Sequence, residues 1–151
     1  MADWIIQQAS LSDAPDIAKF QVEMAKESED TELDYELVLR GVTEGLNDNN
    51  KGTYLVARNE EGRAIASLLI TREWSDWRCG WYLWIQSVFV PPEYRRQGVY
   101  RAMYQKVKTI AAGAQSPCVR LYVDKGNVKG LSTYKSLGMK ESHYLLYEED
   151  I

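Results

Sequence analysis

The chain is poor in the residues that mark secreted, metal-binding and nucleic-acid-binding proteins. Its 151 residues include two cysteines, one histidine and four prolines. Cys79 and Cys118 have no metal-like or redox spacing, so two reduced thiols are expected, at least one of them buried. The single histidine, His143, excludes a multi-histidine metal site and is expected beside a strand in a structural role. No apolar run approaches the length of a membrane span, and the N-terminus lacks the pattern of a secretory signal. A soluble, cytoplasmic chain with no membrane partner is expected. The net charge of −4 lacks the basic excess that nonspecific nucleic-acid binding needs. It mildly favours a cationic partner such as an amine.

What is present is the composition of a globular domain, 45% hydrophobic and 26% charged, with five tryptophans and ten tyrosines. The length suits one domain with its own core, residues 1–151. Trp4–Gln8 reads as a short strand. Ser12 and Asp13 are suited to cap a helix over Ala14–Lys26, with Ile17, Phe20, Val22 and Met24 at helical spacing. A second helix is predicted over Tyr35–Leu46, with Leu37, Val38 and Val42 inward. Thr53–Arg58 and Ala64–Arg72 alternate as strands about a hairpin loop, Asn59–Gly62. Ser75–Arg78 is a second turn, and Gly80–Val90 is a long strand dense in Trp and Tyr. Helices over Val99–Ala112 and Val128–Leu137 bracket a strand at Val119–Val123. Met139–Glu141 and Tyr144–Glu148 complete the pattern as strands. The late strand–helix–strand order implies a crossover and hence a parallel pair in an otherwise antiparallel sheet.

The densest functional signal lies between Val88 and Arg101. An apolar strand ends at Pro91-Pro92, two arginines and a glycine follow, and an amphipathic helix begins. A helix start offers free N–H groups and the positive end of its dipole, which suits a phosphate. Gly98 allows close backbone approach, and Arg95, Arg96 and Arg101 add charge. An ordinary strand–loop–helix with a solvated basic turn carries the same pattern. The phosphate cradle Gly-x-x-x-x-Gly-Lys-Ser/Thr is absent, and no Gly-x-Gly-x-x-Gly follows a strand, which weakens a nucleotide-phosphate enzyme.

Arg95-x-x-Gly98-x-Tyr100, after Val88-x-Val90-x-Pro92-x-Tyr94, resembles the acyl-CoA motif of the GNAT N-acetyltransferases, Arg/Gln-x-x-Gly-x-Gly/Ala. Asn127, Tyr134 and Gly138-Met139 resemble that family's downstream block. Tyr100 stands where the family usually has Gly or Ala; it either narrows the room beside a pyrophosphate or points away from it. The resemblance implies an α/β (α+β) single-domain fold, a mixed, mostly antiparallel sheet of about six to seven strands with about four helices. It also implies two central strands that splay to admit the cofactor's pantetheine arm.

By the same resemblance the cosubstrate is acetyl-CoA, with no metal, and the acetyl group passes directly to a primary amine through a tetrahedral intermediate. Arg95, Arg96, Gln97, Gly98, Val99, Tyr100 and Arg101 would form the pyrophosphate loop. The backbone of Val88, Phe89 and Val90 would pair with pantetheine, although the same residues suit a buried strand. The Val88 N–H would polarise the thioester carbonyl. Tyr134 would protonate the departing thiolate, since a phenol titrates near pH ~10 and a thiol near ~8.5. A core tyrosine fits that position as well. Asn127 would contact the cofactor or cap a helix.

The acceptor side is less defined. Many relatives carry Glu where this chain has Gln86, which takes no proton at neutral pH. A water chain or another carboxylate would serve; Glu27, Glu29, Glu32 and Glu73 are the candidates. Strand alternation places Tyr82, Trp84 and Gln86 on one face. With Trp74, Trp77 and Trp81 nearby in sequence, these suit an aromatic pocket for an ammonium group, or alternatively a core or homodimer interface. A bulge would break that parity. The acidic stretch Glu27–Glu36 suits a rim to the acceptor site or a solvated loop. The acceptor would be a small-molecule or peptide amine. A catalytically weak acyl-CoA-binding or sensing module is the alternative, motivated by Gln86 and Tyr100.

Overall fold

A computed structural model describes residues 4–151. The chain order is β1 (Ile5–Gln8), α1 (Ala14–Glu29), α2 (Tyr35–Asn47), β2 (Thr53–Arg58), β3 (Ala64–Ser75), β4 (Gly80–Phe89), α3 (Val99–Gly113), β5 (Val119–Arg120) and α4 (Val128–Ser136). The five strands lie in sequence order in one sheet. β1 to β4 run antiparallel, and the crossover through α3 makes β4 and β5 the parallel pair. This is the mixed, mostly antiparallel α/β arrangement that the resemblance implies.

α1 forms because its apolar residues recur every three or four positions. Ala14, Ile17, Ala18, Phe20, Gln21 and Ala25 are buried along one stripe. Pro15 falls in the first turn, where its missing N–H is no loss. Asp13 precedes the helix without capping it. Its carboxylate instead accepts the Ser10 N–H and a two-armed pair of bonds from Arg58 at 2.7 and 2.9 Å. The cap expected from Ser12 and Asp13 is therefore not made. α2 does have its cap: Asp34 Oδ1 accepts the amides of Glu36 and Leu37 at 3.0 and 3.4 Å. On α2, Val42 is buried and Val38 half-buried, whereas Leu37 faces solvent.

The sheet buries both faces. Ala14, Ile17, Ala18 and Val42 of α1 and α2 pack with Tyr54 and Val56 on one side. Val99, Met103, Val107 and Ala111 of α3 pack with Leu55, Leu68, Ile70, Leu83 and Ile85 on the other. Complete burial of a side chain of this size contributes about 1.5–3 kcal/mol, so α3 is the main clamp on the centre of the sheet.

Two expectations differ at the C-terminal end. The strand predicted over Val119–Val123 keeps only Val119 and Arg120, and residues 139–151 form no strand. Among the described residues the sheet therefore has five strands rather than six or seven. The residues have strand character, but strand character alone does not supply a neighbouring ladder. His143 consequently stands on an exposed segment against Tyr144, not beside a strand. Cys79 is exposed and Cys118 half-buried, so neither thiol is in the core. Among the described residues no helix is long and apolar enough to cross a membrane.

Candidate active site

β4 carries the centre of the site. Its register with β3 steps from Leu69↔Gln86 to Ser67↔Phe89, so Ser87 and Val88 stand opposite Leu68 alone. This is a β-bulge. Ser87 has φ 55°, a left-handed conformation that a non-glycine residue holds only when its surroundings fix it. The fixing contact comes from α1: the Gln21 side-chain amide donates to the Ser87 carbonyl at 3.2 Å. β5 pairs with β4 only at Leu83 and Trp84. Past Trp84 that edge of β4 meets no further strand among the described residues. An open edge beside a bulge is what an extended ligand arm needs to add as a strand.

Val88 and Val90 are half-buried, while Phe89 is a core residue 6.0 Å from the Phe20 ring. Only the backbone of Phe89 is left for a ligand. A tight turn over Pro92–Tyr94 follows. Arg95 donates to the Val90 carbonyl at 2.8 Å and pairs with Glu27 of α1 at 2.8 Å. That guanidinium ties the loop to α1, leaving Arg96 and Arg101 as the exposed cations beside the helix start. Gln97 bonds back to the Glu93 carbonyl, and its own carbonyl accepts the Trp4 indole N–H at 3.0 Å.

α3 starts at Gly98, φ 78°, two residues after Arg96 at φ 62°. Among the described residues no side chain caps this helix. Its first amides therefore remain open to an anion, with the dipole pointing the same way. Val99 is buried in the core. Tyr100 points away from the helix start: its ring packs edge-on to Tyr134 at 5.7 Å and lies 6.3 Å from Tyr104. The Tyr100 hydroxyl is buried without a partner among the described residues, and burial holds its pKa far above the ordinary tyrosine value.

Tyr134 projects from α4 onto that cluster. Burial raises its pKa above the usual tyrosine range, so the hydroxyl stays protonated. Asn127 caps α4, its side-chain oxygen accepting the Gly130 N–H at 2.9 Å.

Tyr82, Trp84 and Gln86 share one face, because the bulge lies beyond Gln86. Glu73 and Thr71 stand on that face as the cross-strand partners of Tyr82 and Trp84. Gln86 donates to Thr71 Oγ1 at 2.6 Å. Glu73 accepts the Trp84 indole N–H at 2.8 Å and the Arg120 guanidinium at 3.1 Å. Arg120 also lies 4.2 Å from the Tyr82 ring centroid, and Tyr122 is 6.3 Å from Trp84. Trp74 and Trp81 pair with each other one step along the ladder, on the opposite face, and Trp77 is 90% exposed in the turn. The aromatic pocket expected from Tyr82 and Trp84 with Trp74, Trp77 and Trp81 is thus corrected to Tyr82, Trp84 and Tyr122 about a Glu73–Arg120 pair. Among the carboxylates considered as bases, Glu27 is held by Arg95, whereas Glu73 joins this face. From Glu29 to Glu36 every side chain is exposed.

The acetyltransferase (GNAT) family model matches residues 14–139. The chain belongs to the GNAT acetyltransferase family. A solved structure described as "a possible acetyltransferase from Clostridium difficile 630" is 40% identical, with 98% of this chain and 97% of that one covered and a TM-score of 0.91. The ribosomal-protein-alanine N-acetyltransferase of Brucella melitensis biovar Abortus 2308 shares the fold at 14% identity, with 99% of each chain covered and a TM-score of 0.81. Thialysine N-epsilon-acetyltransferase of Bos taurus is 31% identical over 68 residues. That match covers 45% of this chain and 39% of the bovine protein's length. The GNAT domain makes this chain an acetyltransferase, and acetyl-CoA is the cosubstrate of that family.

Four residues of the site, Gln21, Thr71, Arg120 and Tyr122, were not marked by the sequence. Gln21 announced itself only as a polar residue in the apolar stripe of α1. Arg120 and Tyr122 fell in the short strand expected at Val119–Val123 and Thr71 in the long β3, with nothing to tell which face they shared.

Proposed function

We propose that this GNAT domain, acting as one unit over residues 1–151, transfers the acetyl group of acetyl-CoA directly to a primary amine. The observation that carries the reading is the uncapped start of α3 at left-handed Gly98, next to the open, bulged edge of β4. Acetyl-CoA, when bound, supplies the activated acetyl thioester and a thiolate leaving group.

The chain's residues divide the work. The first amides of α3, with Gly98, Arg96 and Arg101, hold the pyrophosphate. Backbone groups of Val88 to Val90 bind the pantetheine arm as an added strand. The Val88 N–H, aimed by the bulge, donates to the oxygen that becomes negative as the amine attacks; one such donor is worth ~10²–10³ in rate. Tyr134, protonated at neutral pH, gives its proton to the leaving sulfur. The amine enters over Tyr82, Trp84 and Gln86, where aromatic faces attract an ammonium group. Glu73 is already bonded to Trp84 and Arg120, so it orients this face rather than acting as a free base. Proton removal from the amine then runs through water along Gln86 and Thr71. The acceptor is a small-molecule or peptide amine, and the enzyme works in the cytoplasm.

Calorimetry with acetyl-CoA, followed by free-thiol release against a panel of polyamines, amino acids and peptide N-termini, tests the proposal. Low-micromolar binding and amine-dependent thiol release are expected. Binding with no release against any amine favours the sensing-module reading, which Gln86 in place of a carboxylate motivates. No binding defeats both readings.

A further inference from the structure

The loop that opens α3 is fastened at three points. Arg95 donates to the Val90 carbonyl at 2.8 Å, and the Gln97 side chain donates to the Glu93 carbonyl at 2.8 Å. The third bond comes from 93 residues away: the Trp4 indole N–H donates to the Gln97 carbonyl at 3.0 Å. Arg96, between the two fastened residues, stands at φ 62°, and Gly98 follows at φ 78°. Left-handed backbone at a non-glycine residue persists only where the surroundings hold it. Two of the three bonds fix side chains of the loop. The Trp4 bond alone falls on the peptide that joins Gln97 to Gly98.

Trp4 is itself firmly placed. It precedes β1, whose first residue, Ile5, pairs with Arg58 of β2. Its ring is half-buried against the core on the α3 side of the sheet. It meets Tyr94 edge-on, the ring centroids 6.0 Å apart and the planes at 88°. That aromatic contact needs no N–H, so the indole has its one donor free for Gln97. The Gln97 carbonyl and the Gly98 N–H belong to one trans, planar peptide and point in opposite directions. Holding the oxygen toward Trp4 therefore aims the N–H the other way. Among the described residues no group accepts that N–H, and it stands beside the open first amides of α3. Half a turn of this peptide would present an oxygen there instead, where an anion is disfavoured.

We propose that Trp4 is a positioning residue for the phosphate site: through the Gln97 carbonyl it holds the Gly98 N–H toward the diphosphate of CoA. The inference rests on the reading of acetyl-CoA as cosubstrate given above. Trp4 acts through a peptide to which it does not belong, and it acts before the ligand arrives. A loop already set in its binding conformation has less ordering to lose when the diphosphate docks. The start of the chain is in this way part of the cofactor site, although no motif residue lies near it in sequence.

Trp4→Phe keeps an aromatic ring against Tyr94 and removes the donor. Calorimetry of the full chain with CoA should show the Kd raised by ~10-fold, the scale of one lost hydrogen bond. Pantetheine, which lacks the diphosphate, should bind the variant and the wild type alike when titrated at millimolar concentration. In ¹⁵N spectra the Gly98 amide should shift strongly on addition of CoA to the wild type and weakly in the variant. A benzothiophene analogue of tryptophan at position 4, with sulfur in place of the N–H, keeps the full ring system and should give the same pattern. Unchanged CoA affinity, an equal Gly98 shift in variant and wild type, or equal losses for CoA and pantetheine would each overturn the proposal and leave Trp4 as a packing residue. A wild-type chain that binds no CoA would overturn the acetyl-CoA reading, and this inference with it.

Discussion

Gln21 of α1 donates its side-chain amide to the carbonyl of Ser87, 66 residues away, at 3.2 Å. The bond joins a buried polar side chain to the strained residue of the β4 bulge. Turning the Ser87 peptide sets the direction of the Val88 N–H that follows it. On the proposed function Gln21 is a positioning residue: it would touch neither reactant and would hold the Val88 N–H that does.

Gln21→Met keeps the length of the side chain and removes the donor. The bulge then relaxes and the Val88 N–H loses its aim. A fall in kcat of about 10-fold is expected, a fraction of the ~10²–10³ that loss of a whole oxyanion donor brings. The KM for acetyl-CoA should hardly move, because the pyrophosphate loop is untouched. Steady-state thiol release separates the two parameters; an unchanged kcat returns Gln21 to packing alone.

Gly98 opens α3 in a left-handed conformation that L side chains rarely adopt. Gly98→Asp adds backbone strain and sets a negative charge on the helix start that would take the pyrophosphate. Calorimetry should show acetyl-CoA affinity weakened by ~100-fold or more, the sum of a strained backbone and an opposed charge. Near-normal affinity would remove the phosphate role from this loop.

Periodicity and turn residues made the order of elements legible. Thr53–Arg58 was read to the residue, and the α3 start at Val99 followed from Gly98. The site divided differently. Motif residues such as Gly98 and Tyr134 stand on local chemistry that spacing exposes. The Gln21–Ser87 and Glu73–Arg120 contacts join positions 66 and 47 apart, and nothing local marks them. Alternation was enough to group Tyr82, Trp84 and Gln86. The same alternation turns Trp81 to the other face of β4, but it does not place Trp74, because the phase between β3 and β4 is set by the turn at 76–79. The C-terminal strands failed for a related reason: a sequence states that a strand can form, while its pairing partner is set by tertiary structure.

Tyr134 rests edge-on against Tyr100, and burial raises its pKa above the ordinary value of 10.0. A raised pKa keeps the phenol protonated at all working pH values, so its acid role should not fade until the pH passes that ordinary value. Tyr134→Phe removes the proton and retains the ring. Turnover should fall by ~10²–10⁴, the usual worth of a positioned acid, with acetyl-CoA affinity unchanged by calorimetry. Substrates with better thiolate leaving groups should lose less. Equal turnover would leave Tyr134 as a packing residue.

The Asp13–Arg58 pair fastens the start of α1 to β2, with both side chains largely buried. The Arg58 hydrogen bonds come first among the causes that hold the Asp13 carboxyl below its ordinary value. A lowered folded pKa stabilises the fold at any pH above the unfolded value near 3.8. That contribution is lost as the pH falls through the lower folded value. Asp13→Ala leaves Arg58 buried without its partner, which costs ~3 kcal/mol for a pair of this kind. Urea denaturation at pH 7 should show that loss. Between pH 5 and pH 2 the stability of the variant should decline less steeply than that of the wild type, because one shifted carboxyl is gone. Parallel curves for the two proteins would mean that Asp13 titrates alike in both states and that the pair is only a packing contact.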